Sequence, residues 1–274
     1  MTEQQILSWL EQQRGVSGMG DDAFVLPGSP QDLVFTTDML VEGVHFKRSL
    51  RPEEVGYRAL ARGLSDVAAM LATPRFCLLS VAFPPWASET YIQRFYKGLL
   101  RLANVTKCPL TGGDLSHAPK LTADITVCGA VPHGRAALRS GAKPGDRIYV
   151  SGALGGNAAS GYCWRPRPRL ELVCVLRTQV SACMDITDGL ALDLHRLCLA
   201  SNVSAQLDTI PIAENATEAH ALSGGEDYEL LFTSRLDLPF PAIGRIVEGA
   251  PGAITLRGEP LEPTGYDHFR RDAT

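Results

Sequence analysis

Acidic side chains next to glycine, serine or threonine recur along this chain, mostly where a predicted strand ends. The first of them, Asp21 and Asp22 in GDDAFVL, are adjacent carboxylates in a turn before an apolar strand. Their mutual repulsion costs free energy unless a positive group lies beside them. A hard cation such as Mg²⁺ would serve, because it prefers carboxylate oxygens and water as ligands. A solvated β-turn, which glycine and aspartate both favour, is the alternative.

The same composition returns in FTTDML, GLSDVAAM, TGGDLS, MDITDGL and SGGEDYELL, whose acidic residues are Asp38, Asp66, Asp114, Asp185, Asp188, Glu226 and Asp227. Each stretch taken alone is typical of a turn or a cap; Thr187 and Asp188, for example, would suit the N-cap of the helix after them. Together, these separate carboxylates in a chain of net charge −4 indicate a site for several cations. Such sites commonly serve phosphate chemistry, because metal ions neutralise charge on a transferring phosphoryl group.

Asp66 differs from the other acidic residues because it lies well inside a predicted helix. Aspartate is a poor helix former, since its side chain competes for backbone groups. Its neighbours in LSDVAAM are apolar, so a carboxylate held there needs a partner. A metal ion is one candidate, and Arg62, four residues earlier, is the other.

The composition is that of a globular protein with a substantial core, and it excludes several classes. A net charge of −4 and a pI of about 5.9 leave no electrostatic footprint for nucleic acid. No apolar run approaches the roughly 20 residues that span a bilayer, so we expect no membrane partner. Seven scattered cysteines without a CxxC pair argue against a disulfide framework or a zinc site. The N-terminus carries no signal pattern, and a cytoplasmic location is expected.

Helix and strand signals alternate along the whole chain, which predicts mixed α/β structure in both halves. Helices are predicted over residues 2–13, from Pro52 to about Ala72, from Glu89 to about Ala103, and after DITDGL. We expect an N-terminal domain over 1–134, a linker over 135–146 that is rich in glycine and proline, and a C-terminal domain over 147–274. KPGD within the linker has its proline and glycine placed for a type II turn.

Phosphate-binding motifs are less evident than the carboxylates. The chain has no P-loop pattern and no set of protein-kinase motifs. SGALGGNAA, at 151–159, is a glycine-rich loop after a predicted strand, but it lacks the Rossmann spacing and is a weak signal. Arg139 and Lys143 are basic residues of the linker that could meet a polyphosphate or remain solvated.

In order along the chain, the stretches GDDAFVL, TTDMLVEGVHF, LSDVAAMLATP, TGGD, RSGAKPGD, DITDGLALDL, SGGEDYELLFT and GYDHF resemble the thiamine-monophosphate kinase family. They cover nearly the whole chain, and VEGVHF with SGGEDYELLFT is specific to that family within its superfamily. The resemblance implies a two-domain fold like that of aminoimidazole ribonucleotide synthetase, each domain a mixed sheet covered by helices. It also implies transfer of the γ-phosphoryl group of ATP onto thiamine monophosphate, several Mg²⁺ ions, and a homodimer formed through the N-terminal domains.

Carried over position by position, the resemblance implies a role for each of three sets of residues. The Mg²⁺ ligands would be Asp22, Thr36, Thr37, Asp38, Asp66, Asp114, Asp185 and Asp188. The ATP contacts would be Gly113, Asp114, Arg139 and Thr187. The contacts to thiamine monophosphate would be His45, Glu226 and Tyr266. Asp21 would be a turn residue or support its neighbour. Without the motifs, a satisfied loop histidine and a docked tail aromatic would explain His45 and Tyr266.

This chain also departs from the family. It is shorter than typical members after SGALGGNAASGY and around PIAENATEAHAL, both in the second domain, and Leu71 stands where the family has glycine. These departures bear on closure of the second domain over its ligands and on the turnover rate more than on metal binding. Two other functions stay open at the level of sequence. One is a related ATP-dependent synthetase that acts on another small phosphorylated substrate, and the other is a non-catalytic protein that binds nucleotide or thiamine phosphate.

Overall fold

The computed structural model describes residues 5, 12, 13, 20–163 and 165–269. The predicted helix over 2–13 therefore lies almost entirely outside the described residues. Within the described part of the chain, no helix is both long and apolar enough to cross a membrane.

Strands and helices alternate as the sequence predicts. The helices are α1 (Pro52–Ala69), α2 (Glu89–Thr106), α3 (Gly156–Ala159), α4 (Val173–Leu176), α5 (Leu190–Ser201) and α6 (Glu218–Ser223), with a 3₁₀ turn at Leu170–Leu172. The strands are β1 (Phe24–Leu26), β2 (Gln31–Val41), β3 (Thr73–Phe83), β4 (Leu110–His117), β5 (Thr122–Pro132), β6 (Arg147–Val150), β7 (Ala182–Asp185), β8 (Ser204–Leu207), β9 (Leu230–Ser234), β10 (Ala242–Val247), β11 (Ile254–Leu256) and β12 (Glu259–Pro260).

The chain divides into two compact units, each with its own sheet. We call them the N-terminal unit, residues 25–137 and 162–179, and the C-terminal unit, residues 20–24, 138–161 and 180–269. The chain passes from the N-terminal unit to the C-terminal unit between Ala137 and Leu138, which lies within the predicted linker at 135–146. The other boundaries differ from the predicted division, because the GDD turn belongs to the C-terminal unit and residues 162–179 belong to the N-terminal unit.

The N-terminal unit is built on a five-stranded sheet in the order β1-β2-β5-β3-β4. Strand β5 runs antiparallel to β2 and β3, while β3 and β4 are parallel. Helix α1 begins with Pro52 in its first turn and has two glutamates near its positive end, as the sequence predicts. It buries Val55, Ala59 and Leu64 completely or almost completely, so this helix forms much of the core on one face of the sheet.

Strand β4 was not predicted, because TGGDLS has the composition of a turn. It is nevertheless a parallel strand along β3. Its Gly113 has a φ of 148°, and a Cβ atom there would lie 1.8 Å from the carbonyl oxygen of Leu79. Glycine is therefore required by the close approach of two strands rather than by chain reversal. Asp114, predicted to lie in a turn, is inside this strand, and Asp38, predicted near the end of its strand, lies within β2.

The C-terminal unit has a seven-stranded mixed sheet in the order β12-β11-β8-β10-β6-β9-β7. Only the β8–β11 pairing is parallel among the pairings that are described for this sheet. The apolar side of α5, with Leu190, Leu194 and Leu197, shares a buried core with Ile148 and Met184 of the strands. KPGD forms the predicted turn: the amide of Asp146 donates to the carbonyl of Lys143 at 2.9 Å, and Gly145 has a φ of 90°.

A buried carboxylate, Asp32, ties two loops of the N-terminal unit to the start of β2. It accepts hydrogen bonds from the amides of Gly28 (2.9 Å) and Gly134 (2.7 Å) and lies 2.7 Å from Nδ1 of His133. The two amides, and then His133, lower the pKa of Asp32 from its ordinary 3.8 to about 2. Because the folded pKa is depressed, Asp32 stabilises the protein above pH 3.8 and loses that contribution as the pH falls towards 2.

We therefore expect Asp32→Asn to unfold at a lower urea concentration at pH 5, and the difference from the parent to shrink between pH 4 and pH 2. Urea unfolding midpoints across that range measure the effect. The exposed Asp208→Asn serves as control, because it removes a carboxylate without these backbone donors. A difference between parent and Asp32→Asn that is independent of pH would contradict the assignment.

Candidate functional site

The GDD turn of the C-terminal unit is organised around one arginine. Arg139 donates from its guanidinium to Asp22 at 2.8 Å, while its backbone amide donates to Asp21 at 2.7 Å. Asp22 thus binds the side chain and Asp21 the main chain of the same residue, which explains two adjacent carboxylates in one turn. Burial raises the pKa of Asp21 and the charge of Asp22 adds to it, although the Arg139 amide opposes both.

Asp185, the last residue of β7, lies beside this ion pair. A carboxylate oxygen of Asp185 lies within 4.8 Å of one of Asp22, and both residues are buried. Burial alone would lower the pKa of Arg139, but Asp22 and, more weakly, Asp193 and Asp185 raise it above its usual value. The arrangement therefore concentrates negative charge around the permanently charged guanidinium of Arg139.

The turn between β7 and α5 carries two more predicted site residues, Thr187 and Asp188. The backbone amides of Thr187, Asp188 and Gly189 all donate to one oxygen of Asp193, at 3.0, 3.0 and 3.2 Å. The N-cap is Gly189, so neither Thr187 nor Asp188 caps the helix as the sequence suggested. Instead, an acid in the first helical turn reaches back to satisfy the free amides.

Asp193 itself is fully buried. Burial raises the pKa of Asp193 to about 7, and the nearby charge of Asp188 acts in the same direction, while Arg196 opposes them. Arg196 forms ion pairs with both carboxylates, at 3.2 Å to Asp193. Asp188, a predicted metal ligand, is thus already held by an arginine in this structure.

Backbone contacts bring the predicted substrate residues of the C-terminal unit to the same turn. The amide of Glu226 donates to the carbonyl of Thr187 at 2.7 Å, and the amide of Tyr266 donates to the carbonyl of Asp188 at 3.0 Å. Predicted contacts to ATP, metal and thiamine monophosphate therefore meet at Thr187 and Asp188. Tyr266 is 45% exposed, and its ring packs edge-to-face against that of His268, with the ring centroids 4.7 Å apart.

In the N-terminal unit, Thr36, Asp38 and Asp66 meet between β2 and α1. The hydroxyl of Thr36 donates to Asp66, which gives this carboxylate within a helix a polar partner from the sheet. Arg62, which the sequence offers as a candidate partner of Asp66, donates to Asp38 of β2 at 3.0 Å and forms an ion pair with it.

Thr37 and Asp114 belong to the other face of the same sheet. The hydroxyl of Thr37 donates to Asp124 at 2.6 Å. Asp114 is in register with Ser80, Ser80 with Asp124, and Asp124 with Met39, so these residues form one row across four strands. The side chains of the predicted metal ligands in this unit are thus separated by the sheet into Thr36, Asp38 and Asp66 on one face and Thr37 and Asp114 on the other.

His45 lies in the loop after β2, where its Nδ1 accepts a hydrogen bond from the amide of Val41 at 2.9 Å. This contact fixes the ring and places the proton of a neutral imidazole on Nε2. In this tautomer the donor atom of His45 is Nε2, which is buried.

Sequence reasoning missed three residues of this arrangement: Asp124, Asp193 and Asn157, whose side chain donates to the carbonyl oxygen of Glu226 at 3.0 Å. Asp193 had a local signal, because an acid four residues after the glycine of DITDG suits a helix start. Asp124 and Asn157 had none, since their partners are 87 and 69 residues away in the chain.

The match to solved structures and to a family model places the chain in the two-domain aminoimidazole ribonucleotide synthetase-like class, with one mixed sheet in each unit. The family model for "AIR synthase related protein, N-terminal domain" matches residues 20–131. Among curated proteins, thiamine-monophosphate kinase of Escherichia coli K12 is 36% identical, and the match covers 92% of this chain and 91% of that protein. The chain belongs to the thiamine-monophosphate kinase family of phosphotransferases, which confirms the resemblance and the fold class.

Solved structures agree with this membership. The AaThiL chain in its complex with AMPPCP and TMP has a TM-score of 0.92 and 31% identity, covering 98% of this chain and 97% of that one. Thiamine-monophosphate kinase from Stenotrophomonas maltophilia has a TM-score of 0.77 and 34% identity, covering 94% and 96%. The alignment with the E. coli protein extends over 300 positions, more than this chain's 274 residues, so that relative has internal residues that this chain lacks.

Proposed function

We propose that this chain transfers the γ-phosphoryl group of ATP to thiamine monophosphate, giving thiamine diphosphate and ADP. An oxygen of the acceptor phosphate forms a bond to the γ-phosphorus, while the bond from that phosphorus to the bridging oxygen breaks and ADP leaves. The observation that carries this proposal is the buried pair Asp22 and Asp185 beside Arg139. It occurs in a chain closely similar in structure to AaThiL, whose complex holds AMPPCP and TMP.

The donor set fits Mg²⁺. Asp22 and Asp185 offer hard carboxylate oxygens within 4.8 Å of each other, and both residues are buried, so their repulsion favours a cation between them. Asp38 and Asp66, with the Thr36 hydroxyl, are a second group of oxygen donors, in the N-terminal unit. Asp188, Thr37 and Asp114 complete the proposed ligands. When bound, Mg²⁺ would neutralise charge on the phosphates of ATP and of the acceptor.

The residues of this chain supply positioning rather than a general base. The acceptor phosphate is mostly a dianion at neutral pH, because its second pKa is near 6, so it is already a nucleophile. The difficulty is the repulsion between two polyanions, and Arg139, fixed by Asp21 and Asp22, presents a charged guanidinium to the nucleotide. Thr187 and Gly113 are the other proposed ATP contacts. His45, Glu226 and Tyr266 would orient the thiamine substrate.

A direct assay tests the proposal. Purified protein is incubated with ATP, Mg²⁺ and thiamine monophosphate, and thiamine diphosphate and ADP are quantified by chromatography. We expect equal amounts of the two products. ADP formed without thiamine diphosphate would identify a different acceptor, and neither product, with nucleotide still bound, would leave a non-catalytic binding function.

We further propose that the protein is a homodimer formed through the N-terminal sheet. Helix α1 packs on one face of that sheet. The face of Thr37 carries apolar side chains as well: Met39 is 50% exposed and Leu78 is 39% exposed, and Phe35 and Phe76 are half-buried nearby. Exposed apolar groups rimmed by polar residues are typical of protein interfaces, and this supports a second copy as the partner.

We expect Met39→Glu to convert the dimer into a monomer, because it replaces an exposed apolar side chain of this face by a charge and adds it beside Asp124. Light scattering coupled to size-exclusion chromatography measures the mass. Val105→Glu is the matched control, since Val105 is apolar and 78% exposed but lies near the end of α2. A monomeric parent, or a dimer that persists in Met39→Glu, would exclude this interface.

A further inference from the structure

The glycine-rich loop at 151–159 is occupied by acidic side chains of the chain itself. The amide of Gly155 donates to both oxygens of Asp227, at 3.0 and 2.8 Å. Gly155 has a φ of 83°, and a Cβ atom there would lie 2.6 Å from the backbone of Ala221. The loop is therefore shaped to receive a carboxylate from residues 224–229 where a phosphate loop would receive its anion.

A second acid of the same segment fixes the beginning of the loop. Glu229 accepts a hydrogen bond from the hydroxyl of Ser151. A Cβ atom on Gly152 would lie 2.7 to 2.8 Å from the carboxyl group of Glu229, so a side chain at this position would displace that carboxyl group. Acidic residues on both sides of Tyr228 thus anchor the 224–229 segment to the glycine-rich loop.

The 224–229 segment has unusual backbone geometry around Glu226. Glu226 and Tyr228 both have a φ of 54°, and Gly225 between them and the helix has a φ of 67°. Residues other than glycine seldom adopt such values, and they persist only where surrounding contacts hold them. Strain of this kind concentrates at sites that need a fixed side chain.

Asn157 supplies the contact that bears on Glu226 itself. It is 3% exposed, and its amide nitrogen donates to the carbonyl oxygen of Glu226 at 3.0 Å and to Oε2 of the same residue at 3.3 Å. One side chain thus holds both the strained main chain and the carboxylate of a residue that we assign to the thiamine substrate.

We propose that Asn157 is a positioning residue that sets the orientation of the Glu226 carboxylate for thiamine monophosphate. This proposal rests on the function proposed above. Under this proposal the glycine-rich loop contributes to binding of thiamine monophosphate through the contact of Asn157 with Glu226. The Gly155 amide of the same loop donates to Asp227 of the chain itself. Asn157 touches no substrate in this scheme and acts only through Glu226.

A double-mutant cycle with Asn157→Ala and Glu226→Gln tests the proposal. We expect Asn157→Ala to raise the KM for thiamine monophosphate about tenfold, as for loss of a hydrogen bond to a charged group. The KM for ATP should change less than twofold. In the Glu226→Gln background the same substitution should raise the KM for thiamine monophosphate by a clearly smaller factor, because the charged acceptor is gone and only the neutral contacts to residue 226 remain to be lost. Asn104→Ala, on the exposed side of α2, is the matched control.

The possible failures of this experiment are distinguishable. A parent that forms no thiamine diphosphate overturns the function and the inference together. If the parent is active, two outcomes overturn the inference alone. One is that the effects of the two substitutions on the KM for thiamine monophosphate are additive, and the other is that Asn157→Ala raises the KM values for both substrates equally. If Asn157→Ala does not fold, Asn157→Asp, which keeps the shape and reverses the hydrogen-bonding character, should raise the same KM and spare that for ATP.

Discussion

Replacing Asp185 by asparagine is expected to lower kcat/KM for the proposed formation of thiamine diphosphate by about 10²- to 10³-fold, the scale expected when one fixed electrostatic contribution to the transition state is lost. Asp185 ends β7, and its side chain is buried beside Asp22. Asparagine has nearly the same shape, so the substitution removes the charge and leaves the packing. The effect should therefore fall on catalysis and on Mg²⁺ affinity.

A second measurement separates the metal site from a structural effect. In EDTA, Asp185→Asn should unfold at nearly the same temperature as the parent, because relief of the like-charge contact with Asp22 opposes the loss of attraction to Arg139. Mg²⁺ should raise the unfolding temperature of the parent but raise that of the variant much less. Asp237→Asn is the control, since that carboxylate is 82% exposed. Unchanged activity, or an equal response to Mg²⁺, would remove Asp185 from the metal site.

Arg139→Met is expected to lower the free energy of unfolding by about 3 to 5 kcal/mol in EDTA, because it leaves a buried charge without its partner. The side chain of Asp22 is 2% exposed and that of Arg139 is 21% exposed, so water compensates little of the loss. Phosphoryl transfer should also fall by at least about tenfold, because the variant has lost the proposed nucleotide contact.

Urea unfolding of a matched series measures this prediction. The double variant Asp22→Asn/Arg139→Met should recover much of the lost stability, since it removes both charges. Arg147→Met breaks an exposed pair with Asp237 and should cost less than about 1 kcal/mol. A double variant no more stable than Arg139→Met, or equal losses in the two arginine variants, would show that the Asp22 contact does not dominate.

The sequence by itself determined the mixed α/β class, the family and most element positions. Helix α1, for example, begins at Pro52, which two glutamates follow in the first turn, and its apolar residues recur at helical spacing. These features are local, since they depend on residues within one or two turns of each other. The motifs around Asp22, Asp185 and Glu226 are equally local, and their family resemblance could be read without a fold.

Only the tertiary structure decided which charges meet. Asp22 and Arg139 are 117 residues apart, and nothing near Asp22 in the chain indicates that its counter-charge is an arginine. Strand β4 was missed for a similar reason, because its glycines serve contact with β3 and its own composition is that of a turn. Asn157 had no sequence signal, since its side chain donates to the strained Glu226, which is distant in the chain. Contacts between distant segments depend on the tertiary arrangement of the chain, and the local periodicity of the sequence does not specify that arrangement.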